Sequence, residues 1–173
     1  SLVAQLLMTA GVDRIVTLDL HSPAIEGFFK VPVDHLRATP MLAAAFRRLG
    51  VQDLVAVSPD AGGVARAEDF RVRAGASLAI ASKKRPSPEE AEVLEVVGDV
   101  EGKTAVIVDD MISSGSTTVR CAHKLIERGA RKVYAAAVHP ILSGEASQLL
   151  DRSPIEKLYV TDTLQIDEKN VSD

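Results

Sequence analysis

A single cysteine, Cys121, in 173 residues excludes an internal disulfide and leaves no second thiolate for a metal site, an absence that fits a reducing cytoplasm. The bland expectation for Cys121 is a buried helix residue. Aromatic side chains make up only 3% of the chain, so a core has to be built from Val, Ile, Leu and Ala, the mixture that suits buried parallel strands. No run of about 18 apolar residues occurs and no basic-then-apolar leader opens the sequence, so the reading is of a soluble, untargeted, cytoplasmic protein with no membrane partner. An excess of positive charge is also missing. The net charge of −4 gives no general attraction to nucleic acid, so any anion site must be local and its ligand a small phosphorylated molecule.

What is present is 46% hydrophobic and 25% charged residues, which rules out a disordered or fibrous class, and a length that suits one well-buried domain. The opening residues, Ser1-Leu2-Val3-Ala4-Gln5-Leu6-Leu7, lack an initiator Met and read as the body of a helix, so the expectation is a single domain spanning residues 1–173 that is a fragment of something longer.

Leu2, Leu6 and Leu7 recur at helical spacing and Gly11 follows as a stop, which predicts a helix leading into the strand Arg14 to Asp19. The alternation then repeats: a helix from Pro40 to Leu49, the strand Leu54 to Ser58, a helix from about Gly63 to Arg73 and the strand Ser77 to Ala81. Residues 82–92 break the pattern with Lys, Arg, Pro and Glu, and Val93 to Val97 reads as a short hairpin or excursion. The strand Thr104 to Val108, the helix Ser116 to Arg128, the strand Lys132 to Val138, a helix near Glu145 to Leu150 and the strand Lys157 to Val160 complete the series. Strands separated by helices throughout predict an α/β fold with a parallel sheet flanked by helices on both faces. Ligands of such sheets bind beyond the carboxyl ends of the strands.

Four of these strands end on chemistry-bearing residues: Asp19-Leu20-His21, Ser58-Pro59-Asp60, Lys83-Lys84-Arg85 and Asp109-Asp110. In one sheet, all four line a single crevice. The last is the most informative. A wholly apolar strand, Ala105 to Val108, delivers two carboxylates, and Met111-Ile112-Ser113-Ser114-Gly115-Ser116-Thr117 follows with hydroxyls, a permissive glycine and the start of a helix. Free N–H groups and a positive dipole at that helix end attract phosphate. Carboxylates pointing at phosphate would repel it, so their natural task is to accept hydrogen bonds from sugar hydroxyls. A phosphorylated sugar satisfies both halves.

This loop resembles the PRPP-binding loop of type I phosphoribosyltransferases and of PRPP synthetases (ribose-phosphate pyrophosphokinases). Other segments resemble the synthetases in particular: Thr17-Leu18-Asp19-Leu20-His21-Ser22, Ile25-Glu26-Gly27-Phe28-Phe29, Val57-Ser58-Pro59-Asp60-Ala61-Gly62-Gly63, Lys83-Lys84-Arg85-Pro86, Val97-Gly98-Asp99-Val100-Glu101-Gly102-Lys103 and His139-Pro140-Ile141-Leu142-Ser143-Gly144. They occur in the family's order and extend from the first residues to about Thr163. The resemblance implies a type I phosphoribosyltransferase-like fold and an enzyme that transfers pyrophosphate from ATP to ribose 5-phosphate, giving PRPP and AMP.

It also implies roles. Asp19, His21 and Asp60 are the candidate Mg²⁺ ligands, Asp60 the safer because Mg²⁺ prefers oxygen. Lys83 and Arg85 are the catalytic cations, on a loop that closes over the phosphates. Asp109 and Asp110 contact the ribose, and Ser113, Ser114, Gly115, Ser116 and Thr117 cradle the 5-phosphate. Two departures stand out. Lys30 follows Phe29 where many relatives carry an aspartate, and Ser116 stands where many carry a glycine, which is expected to restrict the backbone and narrow the cradle. The family's adenine contacts come largely from a preceding domain, so the chain is expected to be a fragment of a two-domain synthetase that assembles as a homo-oligomer. The alternatives are a phosphoribosyltransferase that consumes PRPP, against which the Asp19 and Lys83 segments argue, and a non-catalytic synthetase-associated regulator.

Overall fold

The computed structural model describes residues 1–84 and 93–166 and divides into two compact units, Ser1–Ala38 and Thr39–Asp173. Among the described residues no helix is long and apolar enough to cross a membrane.

The first unit consists of helix α1 (Leu2–Thr9), strand β1 (Ile15–Leu18), a short 3₁₀ helix (Pro23–Phe28) and strand β2 (Val33–Leu36). The predicted strand at Arg14 to Asp19 is therefore present but does not join the main sheet. It pairs in parallel with β2, Ile15 opposite Val33 and Leu18 opposite Leu36, as a two-stranded ribbon. The sequence concealed β2 because Val-Asp-His-Leu is short and half polar. Such a ribbon leaves much of its surface uncovered, and Val16 is 65% exposed.

The second unit runs α2 (Thr39–Arg48), β3 (Leu54–Ser58), α3 (Val64–Ala74), β4 (Ser77–Lys84), β5 (Val93–Val97), β6 (Thr104–Ile112), α4 (Ser116–Glu127), β7 (Lys132–Pro140), α5 (Ala146–Asp151) and β8 (Ile155–Val160). Its six-stranded sheet has the order β5-β4-β3-β6-β7-β8, parallel throughout except for the antiparallel β4–β5 pair. The excursion expected at Val93 to Val97 is this antiparallel edge strand. Central β3 is buried along its whole length, as a strand covered on both faces must be.

The two faces are packed differently. Against α4 lie Val55, Val57, Ala105, Ile107, Val133 and Ala135, with Cys121, Ala122 and Leu125 from the helix. Cys121 is thus the buried helix residue expected. On the other side α2 buries Thr39, Leu42, Ala43 and Phe46, the i, i+3, i+4, i+7 stripe of an amphipathic helix. Phe46 there meets Phe70 of α3 at 5.5 Å between ring centroids and Tyr159 of β8 at 4.7 Å, with Tyr134 of β7 beside them. The few aromatic rings are concentrated where one large side chain can join two helices to two strands.

Phe46 is 1% exposed at the centre of this cluster. Phe46→Ala is expected to destabilise the chain by about 3–5 kcal/mol in urea unfolding. Phe28→Ala, at a ring 49% exposed, serves as the control and should cost within about 0.5 kcal/mol of nothing.

Candidate functional site

Strand β6 does not stop where its apolar run stops. Its ladder with β7 continues through Asp109 opposite Ala137 and Met111 opposite His139, so the two carboxylates sit inside the last turns of a hydrogen-bonded strand. The Asp110 side chain is 4% exposed and that of Asp109 20%. The Asp110 backbone N–H donates to Asp109 Oδ1 at 2.9 Å. One guanidinium serves both, with Arg66 Nη1 lying 3.5 Å from Asp109 Oδ1 and 3.4 Å from Asp110 Oδ1.

Burial pushes the Asp109 carboxyl up to about 7, helped by the neighbouring Asp110 carboxylate and opposed by the Asp110 N–H and by Arg66. Burial foremost, and then the Asp109 charge, push the Cys121 thiol on α4 up to about 12, so that thiol is inert.

The loop after β6 turns through Gly115, at φ 75°, into α4. That backbone is costly for a residue with a Cβ, and a Cβ here would also lie 3.5 Å from Leu150 Cγ. Among the described residues no side chain caps α4, so its first N–H groups face the loop. Ser114 and Ser116 Oγ lie 3.1 Å apart, as do Ser113 and Ser143 Oγ, and the Ser143 N–H donates to the Ser113 carbonyl at 3.0 Å. Ser116 begins α4 and is not among the residues with positive φ. The left-handed residue of the loop is Gly115, so Ser116 carries no backbone strain of the kind a glycine would relieve.

On the neighbouring strand, β3 leads into a self-bonded turn. Ser58 Oγ donates to the Asp60 carbonyl at 2.6 Å, and the Gly63 N–H donates to Asp60 Oδ1 at 2.9 Å. A Cβ on Gly63 would come within 2.8 Å of Ser58 Oγ. Asp60 itself is exposed.

Asp60, Asp109, Asp110 and the Ser113 to Thr117 loop thus lie together at the carboxyl edge of the sheet. Lys83 lies near the end of β4, opposite Leu94, and Arg85 lies outside the described residues. Asp19 and His21 belong to the first unit, so of the four strand ends expected in one sheet only those of β3, β4 and β6 belong to the six-stranded sheet. Asp19 is buried, has φ 44°, and accepts the Ala38 N–H on Oδ2 at 2.6 Å. His21 is exposed. The next N–H, of Leu20, is held by His35 Nε2 at 3.0 Å, and His35 Nδ1 pairs with Glu26.

Among the described residues no three His, Cys, Asp or Glu side chains are grouped to cage a metal. The donor set fits Mg²⁺ in its other mode, one carboxylate with waters and substrate phosphates completing the shell. Asp60, exposed and with only Oδ1 engaged by the turn, is the residue that suits it.

The residue beside the carboxylate pair that sequence reasoning missed is Arg66. Its signal is helical register, since Phe70, one turn further along the same side of α3, is fully buried.

Between about pH 4 and pH 7 the folded chain retains the Asp109 proton that an unfolded chain has already lost, so this carboxyl's contribution to stability falls as pH rises through that window. Asp109→Asn removes the effect. The stability of the variant relative to the parent chain, from urea unfolding, should improve by roughly 1–3 kcal/mol between pH 5 and pH 8.

Residues 54–172 match the family model described as phosphoribosyl synthetase-associated domain. The ribose-phosphate pyrophosphokinase of Halalkalibacterium halodurans is 48% identical over 172 residues, 99% of this chain and 54% of that protein. That of Aquifex aeolicus is 48% identical over 169 residues, 97% of this chain and 54% of that protein. The crystal structure of phosphoribosylpyrophosphate synthetase from Mycobacterium smegmatis superimposes with a TM-score of 0.91 at 42% identity, covering 99% of this chain and 56% of that one. APRTase from Giardia lamblia, solved with 9-deazaadenine, has a TM-score of 0.58 at 12% identity over 71% of this chain, which shows a shared fold alone. The chain spans about half the length of the curated relatives it matches.

Proposed function

Because the chain belongs to the phosphoribosyl synthetase-associated domain family, we propose that it is the ribose 5-phosphate-binding part of a two-domain ribose-phosphate diphosphokinase, a homo-oligomeric enzyme that makes PRPP and AMP from ribose 5-phosphate and ATP. The observation that carries this reading is the pairing of two partly buried carboxylates, Asp109 and Asp110, with an uncapped helix start at Gly115. One half accepts hydrogen bonds from sugar hydroxyls and the other receives a phosphate.

In this reading the Ser113 to Thr117 loop holds the 5-phosphate with backbone N–H groups and hydroxyls, and fixes the sugar relative to the sheet. Asp109 and Asp110 accept from the ribose hydroxyls beyond the reacting carbon. The 1-hydroxyl oxygen attacks the β-phosphorus of ATP, the bond from that phosphorus to the α–β bridging oxygen breaks, AMP departs with the bond's electron pair, and the hydroxyl proton leaves to solvent. Lys83 and Arg85 supply fixed positive charge where the phosphate oxygens gain negative charge. Mg²⁺, when bound through Asp60 and substrate phosphates, neutralises the polyphosphate. Asp19 and His21 in the first unit are the further metal candidates, Asp19 through whatever capacity its bond to Ala38 leaves.

The full-length protein is expected to release AMP from ATP only when ribose 5-phosphate is present. Binding of ribose 5-phosphate without AMP release would point instead to a non-catalytic regulatory relative. Lys83→Ala in the full-length protein should lower kcat by about 10²–10³-fold, while the dissociation constant for ribose 5-phosphate, read by calorimetry, should change less than about threefold. Equal losses in both would mean that Lys83 binds the ground state.

A further inference from the structure

Asp109 and Asp110 are adjacent in sequence and partly withdrawn from water, and like charges so placed are unfavourable unless something intervenes. The intervening group is Arg66, delivered from α3 with a side chain only 13% exposed. Its distances of 3.5 Å and 3.4 Å exceed the roughly 2.7–2.9 Å of a close charge-assisted hydrogen bond. A single Nη1 is shared between two oxygens, where a structural clamp would close in bidentate fashion onto one carboxylate. Among the described residues Arg66 Nε is buried without a hydrogen-bond partner, a cost of about 1–3 kcal/mol that a pair selected for stability would have relaxed away.

We propose that Arg66 is a positioning residue of the ribose site: its guanidinium, held midway between Asp109 and Asp110, opposes the uptake of a proton by the pair and so favours the form in which both carboxylates accept from sugar hydroxyls. The inference rests on the reading of these aspartates as ribose contacts and adds the group that makes such a pair usable. Without that counter-charge the pair would hold its proton to a higher pH, and a carboxyl that donates on one oxygen no longer matches the acceptor pattern the sugar requires. Asp109 faces Asp110 on its own strand, Arg66 from α3 and the Cys121 thiol from α4. The adjoining strand position on β7 is Ala137.

Arg66 also borders the Asp60 turn. The Arg66 backbone N–H donates to the Gly63 carbonyl at 3.0 Å, and a Cβ on Gly63 would stand 3.8 Å from Arg66 Nη1 as well as 2.8 Å from Ser58 Oγ. The glycine leaves the space in which Arg66 and the turn pack together. The carboxylate pair and the Asp60 turn therefore meet at one residue, by its side chain on one side and its backbone on the other.

The test is the ionisation midpoint of Asp109, followed in the ligand-free full chain by carbon-13 NMR of its side-chain carboxyl and assigned with Asp109→Asn. Arg66→Gln should raise that midpoint by about one pH unit or more, and Arg66→Lys should restore at least about half of the difference. Ribose 5-phosphate affinity should fall about fivefold at pH 7 in Arg66→Gln and return toward that of the parent chain above about pH 9. A midpoint unmoved within about 0.3 pH unit, or an affinity loss of the same size at every pH, would overturn the role assigned to Arg66. If Arg66→Gln does not fold, the comparison is made in an Asp110→Asn background, where one carboxylate fewer needs neutralising, and the same rise is expected. Failure of the parent chain to bind ribose 5-phosphate would overturn the ribose reading instead, because the midpoint measurement uses no ligand.

Discussion

Charge placed at the end of an apolar strand is the constraint on which the second unit depends. Val106, Ile107 and Val108 are at most 1% exposed, and the residues that follow them cannot be fully hydrated while β6 keeps its ladder with β7. Like charges so placed repel, and the pair answers in part by holding the Asp109 proton up to about 7. Arg66 and the Asp110 N–H oppose what remains. Arg66 in turn sets the approach of α3, and Gly63 sets the clearance of the β3 turn. The site is a local solution to an electrostatic problem that the sheet creates.

Most of the second unit was legible because its elements obey period and punctuation. The α2 stripe at Thr39, Leu42, Ala43 and Phe46 and the uninterrupted apolar β3 are patterns with few other solutions. What failed did so for a common reason, that polarity is a poor guide to hydrogen bonding. Strand β6 was expected to end at Val108 and runs to Ile112, and β4 was expected to end at Ala81 and runs to Lys84, because ladder bonds continue after the hydrophobic residues stop. Strand β2 was missed since Asp34 and His35 dilute a four-residue segment, and its absence from the reading put β1 in the wrong sheet. Of the site, the carboxylates and the loop were visible as a cluster of types. Arg66 was not, because an arginine on a helix is ordinarily at the surface and only its register with Phe70 says otherwise.

The Ser113 to Thr117 loop is fixed from behind as well as by its own glycine. Extension of β7 to Pro140 brings Leu142 and Ser143 against Ile112 and Ser113, with two backbone hydrogen bonds of 3.0 Å. A loop bonded in this way is ordered before any ligand arrives, so binding does not have to supply the entropy of fixing it.

The aromatic cluster has a consequence of another kind. The chain contains no tryptophan, and its only two tyrosines, Tyr134 and Tyr159, have their rings 6.1 Å apart against Phe46. Intrinsic ultraviolet emission from this chain therefore comes from a single place, the seam between α2 and the β7–β8 edge, and not from the carboxyl edge where Asp60 and Asp109 lie. An optical melting curve reports the coming apart of that seam. Ligand-induced events at the opposite chemistry would be silent in such a signal unless they travel through the sheet, which makes the protein's own fluorescence a built-in gauge of how far the two regions move together.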